Sequence, residues 1–190
     1  MSSQYHNLLL SSLSSHYKNK SDQRRELLDI VNGSSDMSLR LIDWFVTHYA
    51  RNKNVVYWID DANKKLVEHA KVSDGQHLRK FHLYLEYRAQ LHSYTKMYFD
   101  PFRRYERITF VLEKTPMVAI QSTVGQLNFF RWALQNHVIE YIKAHISDIE
   151  EAMSSFQSAD KVPSEKVKKR VIACKPLNTI THAPCFVHFD

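Results

Sequence analysis

The chain has 190 residues, 44% hydrophobic and 24% charged, with 26 Lys and Arg against 20 Asp and Glu for a formal net charge of +6. That length suits one domain with a sizeable core, which would bury about 70% of the surface the unfolded chain exposes, and the composition excludes wholesale disorder. Three glycines in the whole sequence exclude Gly-rich phosphate loops and dinucleotide folds, which need glycine where backbone approaches a ligand or takes positive φ.

The charge is patchy. Residues 161–190 carry six basic side chains (Lys161, Lys166, Lys168, Lys169, Arg170, Lys175) against Glu165 and Asp190, while the preceding stretch is acidic through Glu140, Asp148, Glu150, Glu151 and Asp160. A polyanion or an acidic protein surface is therefore an expected partner. Apolar runs such as Leu8 to Leu10 and Val55 to Ile59 fall far short of the roughly 20 residues that cross a bilayer, so no membrane span is expected. The N-terminus lacks a basic region leading into an apolar stretch with a small-residue cleavage site, so export is not expected. In a cytosolic or nuclear environment Cys174 and Cys185 would be free thiols unless they bind metal.

In chain order, residues 1–35 are rich in Ser, Asn and Lys and read as an N-terminal arm with one short helix over Arg24 to Val31, ended by the turn Asn32-Gly33-Ser34-Ser35. Asp36 would cap a helix with an apolar stripe through Leu39, Ile42, Phe45 and Tyr49, stopping near Arg51 to Asn54. Val55 to Ile59 is β-branched and aromatic and predicts a buried strand, and Lys64 to Val72 another helical turn or two. Between Phe81 and Phe99 a strand-like alternation competes with a helical repeat; the length favours helix from about Leu83, ended at Asp100 by Pro101. Arg107 to Lys114 alternates and predicts a second strand.

Thr123-Val124-Gly125-Gln126 fits a capping box, with the Thr123 hydroxyl accepting from the Gln126 N–H and the Gln126 side chain returning to the Thr123 N–H. A long helical pattern follows through Leu127, Phe130, Leu134, Tyr141, Ile142, Ile149 and Met153, with Asn136-His137 placed to end one helix and start another. Ser154 to Ser164 reads as a polar linker, and Thr179 to Phe189 as strand-like but confined by Pro184 to a sheet edge. The expected organisation is an α+β fold, a mainly helical core with a small sheet over 36–153, flanked by extended arms at 1–35 and 154–190.

Aromatics interleave with arginine at Tyr84 to Arg88 and Tyr98 to Tyr105, a pattern that can stack bases while guanidinium groups meet phosphates. Helical spacing already explains these rings as core. Arg103, Arg104 and Arg107 remain the best anion-contacting candidates, and arginine's planar fork suits carboxylates on another protein equally well. Lys166, Lys168, Lys169 and Arg170 offer phosphate contacts or simply a solvated linker. Cys174, His182, Cys185 and His188 are zinc-compatible but lack the close cysteine pair of a zinc ribbon, and Asp60-Asp61 after a strand reads as a turn. With no GxSxG, HExxH or P-loop pattern, neither an enzyme nor a cofactor is expected.

The block Ser122 to Asn136 with Tyr141-Ile142, the segment Tyr84 to Arg107 around Phe99-Asp100-Pro101-Phe102-Arg103, and the ending Phe186 to Asp190 together resemble a recurrent stretch in uncharacterised proteins of large nucleocytoplasmic DNA viruses, iridovirus-like or phycodnavirus-like. The resemblance implies a viral origin and brings no catalytic residues with it. A capsid role is a separate step. Terminal segments order where neighbours tie them down, and arms that dock on neighbours lose entropy on contact and assemble reversibly until many contacts accumulate. The leading expectation is thus a non-enzymatic minor capsid protein of the virion, assembled in the host cytoplasm. Its partners would be the major capsid protein and neighbouring minor proteins. The alternative is a viral nucleic-acid-binding or transcription-associated factor.

Overall fold

A computed structural model describes residues 2–68, 78–114 and 117–159. The fold is α+β: mostly helical, with a three-stranded antiparallel sheet and a separate β-hairpin. Helices α1 (Ser2–Asn19) and α2 (Ser21–Asn32) come first, then α3 (Leu39–Trp44), which continues through a π-helical turn (Phe45–Tyr49) into α4 (Ala50–Asn52). Strands β1 (Val56–Asp60), β2 (Lys65–Val67) and β3 (Leu78–His82) form the sheet in the order β2-β1-β3. Helix α5 (Leu83–Tyr98), the hairpin β4 (Ile108–Lys114) and β5 (Met117–Ser122), and helices α6 (Val124–Gln135), α7 (Val138–Ala144) and α8 (Ile146–Ala159) complete the chain.

Helix α6 is the axis of the molecule. Nine of its twelve residues are buried, and α1, α2, α5 and α7 all pack against it. Its apolar residues point several ways: Phe129 and Trp132 meet Phe99, while Phe81 and Tyr87 close on the same indole. The sheet packs beside this cluster because β1 alternates, turning Tyr57 and Ile59 inward. The Tyr57 hydroxyl donates to the Asn136 carbonyl at 2.6 Å, fixing the sheet to the end of α6.

The break at Asn136-His137 lies where the helical pattern places it, with His137 at φ 58 beginning α7. The strand at Val55 to Ile59, the switch to helix at Leu83, and the strand after Arg107 also form, within a residue or so. Gly33 ends α2 in the left-handed conformation at φ 76, and the Ser34 N–H bonds to the Asp29 carbonyl, closing the helix C-terminus.

Several expectations are corrected. Residues 2–32 are not an arm with one short helix but two helices whose Leu9, Leu13, Tyr17, Leu27 and Ile30 join the core. Ser11, Ser12, Ser14 and Ser15 lie on the solvent side of α1, and the Tyr17 hydroxyl donates to the Leu127 carbonyl at 2.8 Å, tying α1 to α6. Ser38, not Asp36, caps α3, accepting from the Leu41 N–H at 3.1 Å. Lys65–Val67 is a strand rather than a helical turn, because it pairs with β1. Helix α8 runs to Ala159, into the stretch read as linker. The strand β5 has no counterpart in the sequence reading; it arises from pairing with β4. The Thr123 cap forms at 3.1 Å, but the Gln126 side chain does not return to Thr123. Buried Gln126 instead donates to the Pro101 carbonyl at 2.8 Å and accepts from the Ser122 hydroxyl at 2.7 Å.

Candidate functional site

Arg103, Arg104 and Arg107 lie on the loop joining α5 to β4. Its start is buried: the Asp100 N–H donates to the Gly125 carbonyl at 3.2 Å, and Asp100 is 1% exposed. Burial raises the Asp100 carboxyl above its usual range, against the opposing pull of Arg104. Arg104 supplies the counter-ion, its Nε 3.1 Å from Asp100 Oδ2 and its guanidinium 4.7 Å from the centre of the Phe102 ring. Asp43 is raised by the same cause and adds to the charge around Asp100. The Tyr87 hydroxyl is pushed up to about 12, by burial first and then by the charges of Asp43 and Asp100.

Arg103 donates to the Val31 carbonyl at 3.2 Å, placing a cation where the last turn of α2 leaves carbonyls unsatisfied. Two of the three arginines are thus engaged within the fold, and Arg107 is exposed. Lys166, Lys168, Lys169 and Arg170 lie outside the described residues, as do Cys174, His182, Cys185, His188 and the resembling ending Phe186 to Asp190. Among the described residues no group of three or more His, Cys, Asp or Glu side chains is placed to hold a metal ion. Asp60 closes a turn, accepting from the Ala62 and Asn63 N–H groups at 3.0 Å each, and Asp61 pairs with Arg79 at 3.4 Å.

Two of the depressions beside α6 bear on function. The first, about 680 Å³, lies beside the arginine loop and is lined by His6, Met97, Tyr98, Tyr105, Glu106 and Thr123, among others. Tyr5 meets the Tyr98 ring edge-on at 5.2 Å, so aromatic residues from α1, α5 and the loop share one face. Tyr5, Met97 and Tyr105 are 43%, 48% and 40% exposed, and their grouping on one face is what sets them apart from scattered surface apolar residues.

The second is a polar cleft of about 550 Å³ lying over α6, between α1 and α5. Both flanking helices pack on α6. Asn128, Arg131 and Gln135 project from its floor, Ser12 and His16 from α1, and Gln90 from α5. Buried Asn128 is fixed by its own Nδ2, which donates to the Tyr98 carbonyl at 2.9 Å. Its Oδ1 accepts from Arg131 Nη2 at 2.6 Å, and Ser12 Oγ accepts from Nη1 at 2.9 Å. Burial, and then Arg131, lower the His16 pKa from its usual 6.5, so the imidazole is neutral at neutral pH.

The sequence reading missed this cleft because it followed only the apolar stripe of α6. A signal was present. Asn128, Arg131 and Gln135 recur at helical spacing within the block that carried the resemblance, as Ser12 and His16 do on α1. What spacing does not show is that the two polar faces meet.

A mostly helical α+β fold with a polar cleft over its central helix defines a class of protein rather than a chemistry. The chain belongs to a family of unknown function, DUF7197, whose model matches residues 2–175. It is also similar to the uncharacterized protein L507 of Acanthamoeba polyphaga mimivirus, 33% identical over 150 residues, which make up 77% of this chain and 53% of that protein. The chain therefore spans about half the length of that relative. The match bears out the resemblance at the level of large DNA viruses, and on that broader group alone. No solved structure matches. No helix among the described residues is long and apolar enough to cross a membrane.

Proposed function

We propose that the protein is a non-enzymatic structural component of a large DNA virus, a minor capsid protein that joins neighbouring subunits. The observation that carries this reading is the face made by exposed Tyr5, Met97 and Tyr105 with half-buried Tyr98 around its depression. Tyrosine and methionine are concentrated at protein interfaces, tyrosine because it buries much area for two torsions and methionine because its flexible thioether fills irregular gaps, and a depression admits an anchoring side chain. Helix α1 and the α5–β4 loop are held to α6 by the Tyr17 and Gln126 hydrogen bonds, so the face is preorganised. The basic segment with Lys166, Lys168, Lys169 and Arg170 would add a second, electrostatic attachment to the major capsid protein or a minor neighbour.

Fractionation of purified virions tests the reading. The protein is expected in the detergent-stripped shell, and a Tyr105→Ala, Met97→Ala double variant is expected to leave that fraction while staying folded. Absence of the wild-type protein from the shell refutes it.

One observation favours a second reading, nucleic-acid binding: the exposed Arg107 guanidinium shares a short loop with exposed Tyr105, a pairing suited to phosphate and base. Under that reading, duplex or single-strand binding weakens steeply with salt, and replacing Arg107 and the 166–170 cations flattens the salt slope. Binding unmoved by salt excludes it.

A further inference from the structure

Arginine on the floor of a cleft is ordinarily neutralised by a carboxylate, because a buried or half-buried charge needs compensation. Arg131 is held differently. Both acceptors that orient it are neutral, the Asn128 amide at 2.6 Å and the Ser12 hydroxyl at 2.9 Å. Among the described residues no ion pair includes Arg131, and no residue lining the cleft is acidic. The holder is itself built in: Asn128 is 2% exposed and anchored to the Tyr98 carbonyl. Aspartate has the same shape as asparagine and would grip a guanidinium more strongly. An amide there fixes the geometry and leaves the positive charge unspent.

A guanidinium has five N–H donors. Two are used by Asn128 and Ser12, which leaves one N–H on each guanidinium nitrogen for an oxyanion such as phosphate. The cleft, about 550 Å³, is larger than a bare ion requires and falls within the usual range of small-molecule sites. Its remaining wall supplies the Gln90 and Gln135 amides, the neutral His16 ring and the partly exposed Tyr94 ring, that is, hydrogen-bonding groups and an aromatic surface with no further charge.

We propose that the cleft between α1 and α5 is a binding site for a nucleotide-sized phosphate monoester, with Arg131 receiving the phosphate and Asn128 and Ser12 holding the guanidinium in place. The site is independent of the aromatic face assigned to subunit contact, and either assignment stands if the other fails.

Titration calorimetry on the full chain tests it, with thymidine monophosphate, adenosine monophosphate, inorganic phosphate, thymidine and an oligothymidylate as probes. A mononucleotide is expected to bind saturably at one site, and thymidine about tenfold or more weaker because the charge-assisted bonds are gone. Asn128→Asp replaces the buried Nδ2 donor to the Tyr98 carbonyl by a carboxylate oxygen and is expected to lower thermal stability, while its negative charge neutralises Arg131 and weakens the mononucleotide about tenfold or more. Ser12→Asp neutralises Arg131 from an exposed position, which keeps the test open should the buried substitution misfold. Arg131→Gln should also abolish binding. The proposal is overturned if wild-type protein binds neither mononucleotide nor phosphate, if Ser12→Asp and Arg131→Gln bind as wild type, or if the oligothymidylate binds and the mononucleotides do not.

Discussion

Replacing Gly125 by alanine tests the packing at the centre of the fold, because local and tertiary effects have opposite signs there. Gly125 lies in the first turn of α6, where alanine is the better helix former by up to about 1 kcal/mol. The backbone of the α5 C-terminus passes directly over it. A Cβ at this position would lie 2.7 Å from the Met97 carbonyl oxygen and 3.4 Å from the Met97 carbonyl carbon and the Phe99 nitrogen. All three are main-chain atoms, so no side chain can swing aside. The Gly125 carbonyl also accepts from the Asp100 N–H at 3.2 Å, so relieving the clash stretches that bond. Overpacking of this kind costs about 1–3 kcal/mol, which outweighs the propensity gain near a helix end and leaves a net loss of about 1–2 kcal/mol. For a chain of this size each kcal/mol lowers the melting temperature by about 2–4 °C. Thermal and urea denaturation of Gly125→Ala should both show the loss. A variant as stable as wild type, or more so, would mean that the α5–β4 chain does not sit on α6 as described. Gly33→Ala is the control with the opposite cause: nothing lies within 4 Å of its added Cβ, but φ is +76, so the loss of about 1 kcal/mol is backbone strain.

Thr123→Ala should cost about 1–2 kcal/mol, since the Gln126 N–H is buried and the hydroxyl is its cap, while Thr123→Ser should restore most of it in urea melts. Tyr17→Phe leaves the Leu127 carbonyl without its buried donor and should cost about 1–2 kcal/mol by the same measurement; an unchanged midpoint would detach α1 from the core. Asp100 has a folded pKa above its usual 3.8, so the folded state holds the proton more tightly than the unfolded one. Its contribution to stability is therefore lost as pH rises above that value. The stability of Asp100→Asn relative to wild type should increase between about pH 4 and about pH 7, and a difference independent of pH would contradict the burial of that carboxyl.

The parts of the fold legible in the sequence are those fixed within a few residues. The change from alternation to helical repeat at Leu83, the break at His137, the Thr123 cap and the Gly33 stop all formed because local backbone preference and tertiary packing agree there. The α6 block carried the family resemblance and proved to be the buried axis, where nearly every residue is constrained by a neighbour.

Tertiary structure decided what depended on distant partners. The serine-rich N-terminus looked like an arm because α1 presents only a narrow apolar stripe, and it became core because α6 and β4 meet that stripe. Strands β2 and β5 exist through pairing rather than composition. The same holds for function. Arginine at 103 and 104 was visible as charge, but only the folded chain set one against the Val31 carbonyl and the other against Asp100. Helical spacing put Arg131 on one polar face with Asn128 and Gln135, but that this face meets Ser12 and His16 was decided only when α1 and α6 came together, because convergence of side chains separated by more than a hundred residues is a property of packing.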